Sequence, residues 1–215
     1  MAKRTIWHDD YWLLLIQAYL RRPVGVKPRY SRMMVDLSME LHIHPQALES
    51  RMQQIARLDT PRIERFWNTY SANPRRLSRA VRLLREMKGF GAADEFYDGV
   101  EIQESFERDF RPLPEDERFT PTMLILILNL YFQLTPSTMV VGTPEVGELA
   151  RLMGVKAKDV VEVLDVFQIC DPYLERNEVT FSPLLMPCQQ MWQRMSDKEP
   201  QQLHALAEEL KEYYH

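Results

Sequence analysis

Apolar residues recur every three or four positions along most of the chain, the period of a helix with one buried face. Between Trp7 and Arg21, the residues Trp12, Leu15, Ile16 and Tyr19 fall on one side. The period resumes over 30–41, over 45–58 and over 74–87, where Leu77, Val81 and Leu84 make a stripe. Pro23-Val-Gly-Val-Lys-Pro28 predicts a loop, because proline lacks an N–H and restricts the residue before it. Elsewhere proline marks helix starts, where a missing donor costs nothing. Pro45, Pro61, Pro74 (capped by Asn73) and Pro144 (capped by Thr143) suit the first helical position. Further helices are predicted over 122–134, 188–195 and 200–214, the last with Leu203, Leu206, Ala207 and Leu210 on one face. Alternating β-branched sequence is scarce, so the expected fold class is all-α.

The apolar order repeats. A shift of 112 positions carries Leu14 to Leu126, Tyr19 to Tyr131, Leu37 to Leu149 and Asp59 to Asp171. It pairs Leu41 with Met153, Ile43 with Val155, Leu48 with Val160 and Met52 with Leu164 without a gap. Only four positions in fifty are identical, so the repeat lies in the order of apolar sites. In the second copy, Leu149 and Ala150 precede Gly154 and Val155, followed by Val160, Val163 and Leu164. This spacing resembles a helix-turn-helix: a small residue lets the helices approach, and a glycine takes the left-handed turn. The first copy fits through Leu37, Ser38, Leu41, Ile43, Leu48 and Met52. It departs from the pattern at His42, in the glycine position, and at Arg51, in an apolar one. The resemblance implies a fold type, two helix-turn-helix-like helical modules, and names no family. Residues 173–181 alternate around Arg176-Asn177, which would add a small β-wing to the second module.

Charge divides the chain. Residues 1–90 hold seventeen Lys/Arg against eight Asp/Glu, and residues 91–215 hold ten against twenty-three. The expected organisation is a basic module over 1–90, an acidic connector over 91–118 and a second module over 119–215. The connector carries ten Asp/Glu against three Lys/Arg, with one short helix expected around Val100–Phe110. Its aromatics Phe96, Tyr97, Phe106 and Phe110 argue against free disorder and suit pinning to a module or bridging the two. A basic half in an acidic chain fits a polyanionic ligand, or attraction between the two halves.

Catalytic and metal chemistry find little support. Cys170 and Cys188 are too few for a disulfide framework and read as free thiols. His42 and His44 flank a turn with no further ligand at a recognised spacing. Neither a Gly-rich phosphate loop nor an HExxH pair occurs. No enzyme activity, cofactor or metal is expected. The apolar run Met123–Phe132 is broken by Asn129 and is shorter than the ~20 residues a membrane helix needs. The basic start lacks an apolar signal core, so the expected location is cytoplasmic and no membrane partner is expected.

Recognition is the remaining class. A helix-turn-helix sets the early residues of its second helix against base edges. In the first module these are His44, Gln46, Glu49, Ser50 and Gln53, with Arg51 and Arg57 directed at phosphates. The helix after Pro74 adds Arg75, Arg76, Arg79, Arg82 and Arg85, of which Arg75, Arg79 and Arg82 share a face. In the second module, Lys156, Lys158, Asp159, Glu162 and Asp165 take the equivalent surface, and their carboxylates would repel phosphate. The expected function is binding of double-stranded DNA by a transcriptional regulator through its basic first module. The alternative is a protein-interaction adaptor or homodimer that uses both modules as scaffold.

Overall fold

The computed structural model describes residues 7–88, 90, 106–174, 182–196 and 198–215. The described residues are all-helical and contain no strand. The chain divides into two compact units, Met1–Gln103 and Glu104–His215.

In the first unit, α1 (Tyr11–Leu20) is the central post. Trp12, Leu13, Leu14, Leu15, Ile16 and Ala18 are all buried, as in a helix enclosed on every side. Around it lie α2 (Arg32–Leu41), α3 (Pro45–Arg57), α4 (Pro61–Tyr70) and α5 (Pro74–Arg85). Helix α1 packs against α3, α4 and α5, while α2 packs on α3. Prolines open α3, α4 and α5. Their caps are His44, Thr60 and Asn73, whose side chains accept from the N–H groups of Gln46, Ile63 and Arg76. The loop before α2 is held from inside by Lys27. It is 6% exposed, and its ammonium donates to the carbonyls of Arg21 and Pro23.

In the second unit, α6 (Phe106–Asp109) is a single turn, and α7 (Pro121–Tyr131) is the post, buried from Leu124 to Tyr131. It is packed by α8 (Pro144–Met153), α9 (Ala157–Cys170), α10 (Leu185–Ser196) and α11 (Pro200–Lys211). The terminal helix therefore docks on its own unit, through Leu203, Ala207 and Leu210. Residues 106–118, which the charge pattern places in a connector, are folded here. Phe110 and Leu113 are buried, and Phe110 meets the Tyr213 ring at 5.0 Å. Residues 91–105 of that connector, and residues 175–181 of the expected wing, lie outside the described residues. The expected cap at Thr143 occupies its position, but its hydroxyl donates to the Thr138 carbonyl and does not cap α8.

The element boundaries follow the repeat. Moving α2 by 112 positions gives the limits of α8, and moving α3 by 112 gives the start of α9, which ends one residue later. A shift of 111 carries α5 onto α10, with Leu77 falling on Cys188 and Leu84 on Met195, all buried. Both turns close alike. The Ile43 N–H donates to the Ser38 carbonyl at 3.1 Å, and the Val155 N–H donates to the Ala150 carbonyl at 3.0 Å.

Candidate nucleic-acid interface

Helix α3 turns Leu48, Met52 and Ile55 inward, leaving Gln46, Ala47, Ser50, Gln53 and Arg57 exposed. His44 is also exposed. Its Nδ1 accepts the Gln46 N–H at 3.2 Å, so this imidazole begins the helix. The Ser50 hydroxyl donates back to the Gln46 carbonyl at 3.1 Å. Glu49, the only carboxylate on α3, is drawn to Arg29 at 2.8 Å. The outward face is therefore polar, small and free of unpaired acid.

Arg51 takes a different place from the phosphate contact expected of it. Its guanidinium lies over the rings of Trp7 and Trp12, at 4.9 and 5.7 Å, and donates to Gln54. A planar cation covering two indoles accounts for an arginine at the position where the second unit has Val163. Arg85 is likewise committed. It makes a two-pronged pair with Glu40 at 2.5 and 2.7 Å, which raises its pKa chiefly through the hydrogen bonding. This pair ties the end of α5 to the end of α2, beside the turn into α3.

The rest of α5 is open. Leu77, Val81 and Leu84 face α1, and Arg75, Arg76, Arg79 and Arg82 are exposed. Arg76 sits over the Tyr70 ring at 5.4 Å, and Arg82 has a loose contact with Glu86 at 3.7 Å. Among the described residues, Arg75 and Arg79 have no acidic partner. With Pro74, Ser78 and Arg82 they line an open depression of about 530 Å³. Arg75 and Arg82 are seven residues apart, about 10 Å along the axis, so the three guanidinium groups form one band.

The second unit contrasts at each equivalent place. Asp159 is 7% exposed, not on the outer face of α9; its carboxylate accepts the Lys156 N–H at 3.0 Å. Arg118 reaches across the first turns of α9 and donates to Asp159 at 2.8 Å and Glu162 at 3.1 Å, while also pairing with Asp116 at 2.6 Å. The segment that carries it is pinned by buried Leu113 and Phe119, whose backbones bond at 2.8 Å. On α10, Met186, Gln190 and Gln193 stand where α5 has Arg75, Arg79 and Arg82.

Sequence reasoning named Arg75, Arg76, Arg79 and Arg82, which are open, together with Arg51 and Arg85, which are engaged within the unit. It missed Arg118, Glu40 and the two tryptophans under Arg51, because each acts across dozens of residues with no local period to announce it. Among the described residues, no group of His, Cys, Asp and Glu is placed to hold a metal ion. No described helix is long and apolar enough to cross a membrane. No family model, no curated protein and no solved structure matches this chain.

Proposed function

We propose that this chain is a double-stranded DNA-binding protein, acting in transcriptional regulation, and that its first unit makes the contact. In this reading both units are helix-turn-helix-like modules built on one plan, α2–turn–α3 and α8–turn–α9. Only the first keeps a surface suited to nucleic acid. The observation that carries the reading is the band of Arg75, Arg79 and Arg82 on α5, in a unit whose α3 face holds no unpaired carboxylate. Helix α3 enters the major groove while α5 neutralises phosphates.

A salt series of mobility shifts on duplex DNA tests this. The wild-type chain is expected to lose affinity steeply with salt, and a triple Arg75→Ala, Arg79→Ala, Arg82→Ala variant to lose most of its binding. Absence of binding at low salt, or equal binding by the triple variant, would overturn the proposal.

A second reading, a protein-interaction adaptor without nucleic acid, draws support from the second unit. Arg118 closes the outer face of α9, so that unit is suited to scaffold or assembly. Phe132, Val140 and Val141 are about half exposed there and offer apolar contacts. Concentration-dependent self-association with no DNA binding would favour this reading.

A further inference from the structure

We infer that α3 reads A·T base pairs in the major groove, with Gln46 and Gln53 on adenine and Ala47 against a thymine methyl. The inference rests on the DNA-binding reading and specifies the ligand of that same site. Guanine is recognised chiefly by Arg or Lys, and cytosine by Asp or Glu. From Gln46 to Gln53, the outer face of α3 presents none of these unpaired. Arg51 lies over Trp7 and Trp12, and Glu49 is tied to Arg29. Arg57 lies beyond the Gln46–Gln53 stretch, one turn (about 6 Å) past Gln53, and is assigned to phosphate in this reading.

What remains is chemistry for adenine and thymine. The amides of Gln46 and Gln53 are exposed and have no side-chain partner among the described residues. A glutamine amide can pair with N6 and N7 of adenine together, and an alanine methyl fits the thymine C5-methyl. Gln46 and Gln53 lie seven residues apart on one face, about 10 Å, close to three base-pair steps of about 3.4 Å. Gln46 and Ala47 are the second and third residues of α3, where groove-reading helices meet base edges.

The test is fluorescence anisotropy with the full chain on two short duplexes, alternating A·T and alternating G·C. The A·T duplex is also made with uracil for thymine, and with an adenine analogue whose N7 is carbon. These changes leave the minor groove as it was. The expected result is about tenfold tighter binding of the A·T duplex. That preference should weaken with either analogue and disappear in Gln46→Ala/Gln53→Ala, whose helix content should match wild type because both residues are exposed. Equal, salt-sensitive binding of both duplexes would overturn the inference and leave the DNA-binding reading standing. A preference that survives the analogues and the double variant would also overturn it. No binding to either duplex at low salt would remove the DNA-binding reading itself.

Discussion

His42 and Gly154 hold the same left-handed backbone conformation, φ 53° and 72°, at the ends of α2 and α8, and lie 112 positions apart. Each is followed by a residue whose N–H bonds back five positions, closing the helix identically. Glycine takes this conformation without strain, and any residue with a Cβ pays about 1 kcal/mol. Around Gly154 a Cβ would meet nothing within 4 Å, so steric clash adds nothing. Gly154→Ala should therefore destabilise the second unit by about 1 kcal/mol through backbone strain alone. Gly154→Asn should cost less, and Gly154→Val more. Urea denaturation followed by circular dichroism checks the order, and an Asn variant weaker than the Val variant would contradict it.

The helices themselves were legible in local chemistry. Pro45, Pro61, Pro74 and Pro144 begin helices as their missing N–H groups require, and Asn73 caps α5 with its side chain. The apolar period placed Leu48, Met52, Leu77 and Val81 inside. The fate of the charged residues was not legible. Arg79 and Arg85 look alike in sequence, yet one has no partner among the described residues and one is clamped to Glu40. Arg51 stands out by its apolar position, but nothing local shows that it covers indole rings. The sequence separation from Arg85 to Glu40 is 45 residues, and from Arg118 to Asp159 it is 41. Ion pairs at such distances follow from the tertiary packing of helices, which no helical period encodes. Residues 106–118 were legible in part: the aromatics there argue against disorder, and Phe110 and Leu113 are buried within the second unit, but no regular spacing announced which unit would take them.

Arg118 is the keystone of the second unit's first turns. Removing it strips Asp159 of a cation and leaves that nearly buried carboxylate with the Lys156 N–H alone. Because Arg118 itself is 45% exposed, solvent softens the loss. Arg118→Ala is expected to cost about 2 kcal/mol, and Arg118→Lys less, since one ammonium cannot serve three carboxylates. The guanidinium also holds the Asp116 carboxyl below its ordinary value of 3.8. A depressed folded pKa contributes stability that is present above about pH 4 and lost as pH falls through the lower, folded value. The stability gap between wild type and Arg118→Ala should therefore narrow below about pH 4. A gap that stays constant down to pH 2, measured by urea titration, would count against this coupling.

The two thiols should be poor nucleophiles for the same physical reason. Burial pushes the Cys170 thiol up to about 11, and raises Cys188, fully buried on α10, further still, with Cys170 adding to the effect. Only the thiolate reacts, so at pH 8 about one Cys170 in a thousand is competent. Labelling with an aromatic disulfide should be slow at pH 8 and speed up about tenfold per pH unit toward pH 10. Cys188 should react only after unfolding. Rapid labelling of both at pH 8 in native protein would be the contrary result.

The arginines of the first unit should separate into two classes when salt dependence and stability are measured together. Each phosphate neutralised contributes a slope of about −0.9 to the logarithm of affinity against the logarithm of salt. Arg79 has no acidic partner among the described residues, so Arg79→Ala should flatten the slope by about 0.9 with no change in stability. Arg51 is held over Trp7 and Trp12, so Arg51→Ala should leave the slope alone and cost about 1 kcal/mol of stability. Arg85 can be moved from one class to the other. Glu40→Gln removes the carboxylate that binds both prongs of its guanidinium, at a cost of about 0.5–1 kcal/mol for so exposed a pair. The freed cation lies at the end of α5, beside the turn into α3, where under the proposed DNA-binding reading it would join the arginine band. The Glu40→Gln chain should then bind duplex DNA several-fold more tightly at low salt, with a slope steeper by about 0.9. Arg85→Ala in the wild-type background should leave the slope and the low-salt affinity nearly unchanged while costing about 0.5–1 kcal/mol of stability through the same lost pair. If Arg85→Ala flattens the slope as much as Arg79→Ala, the Glu40 clamp opens in the complex and Arg85 belongs to the interface after all.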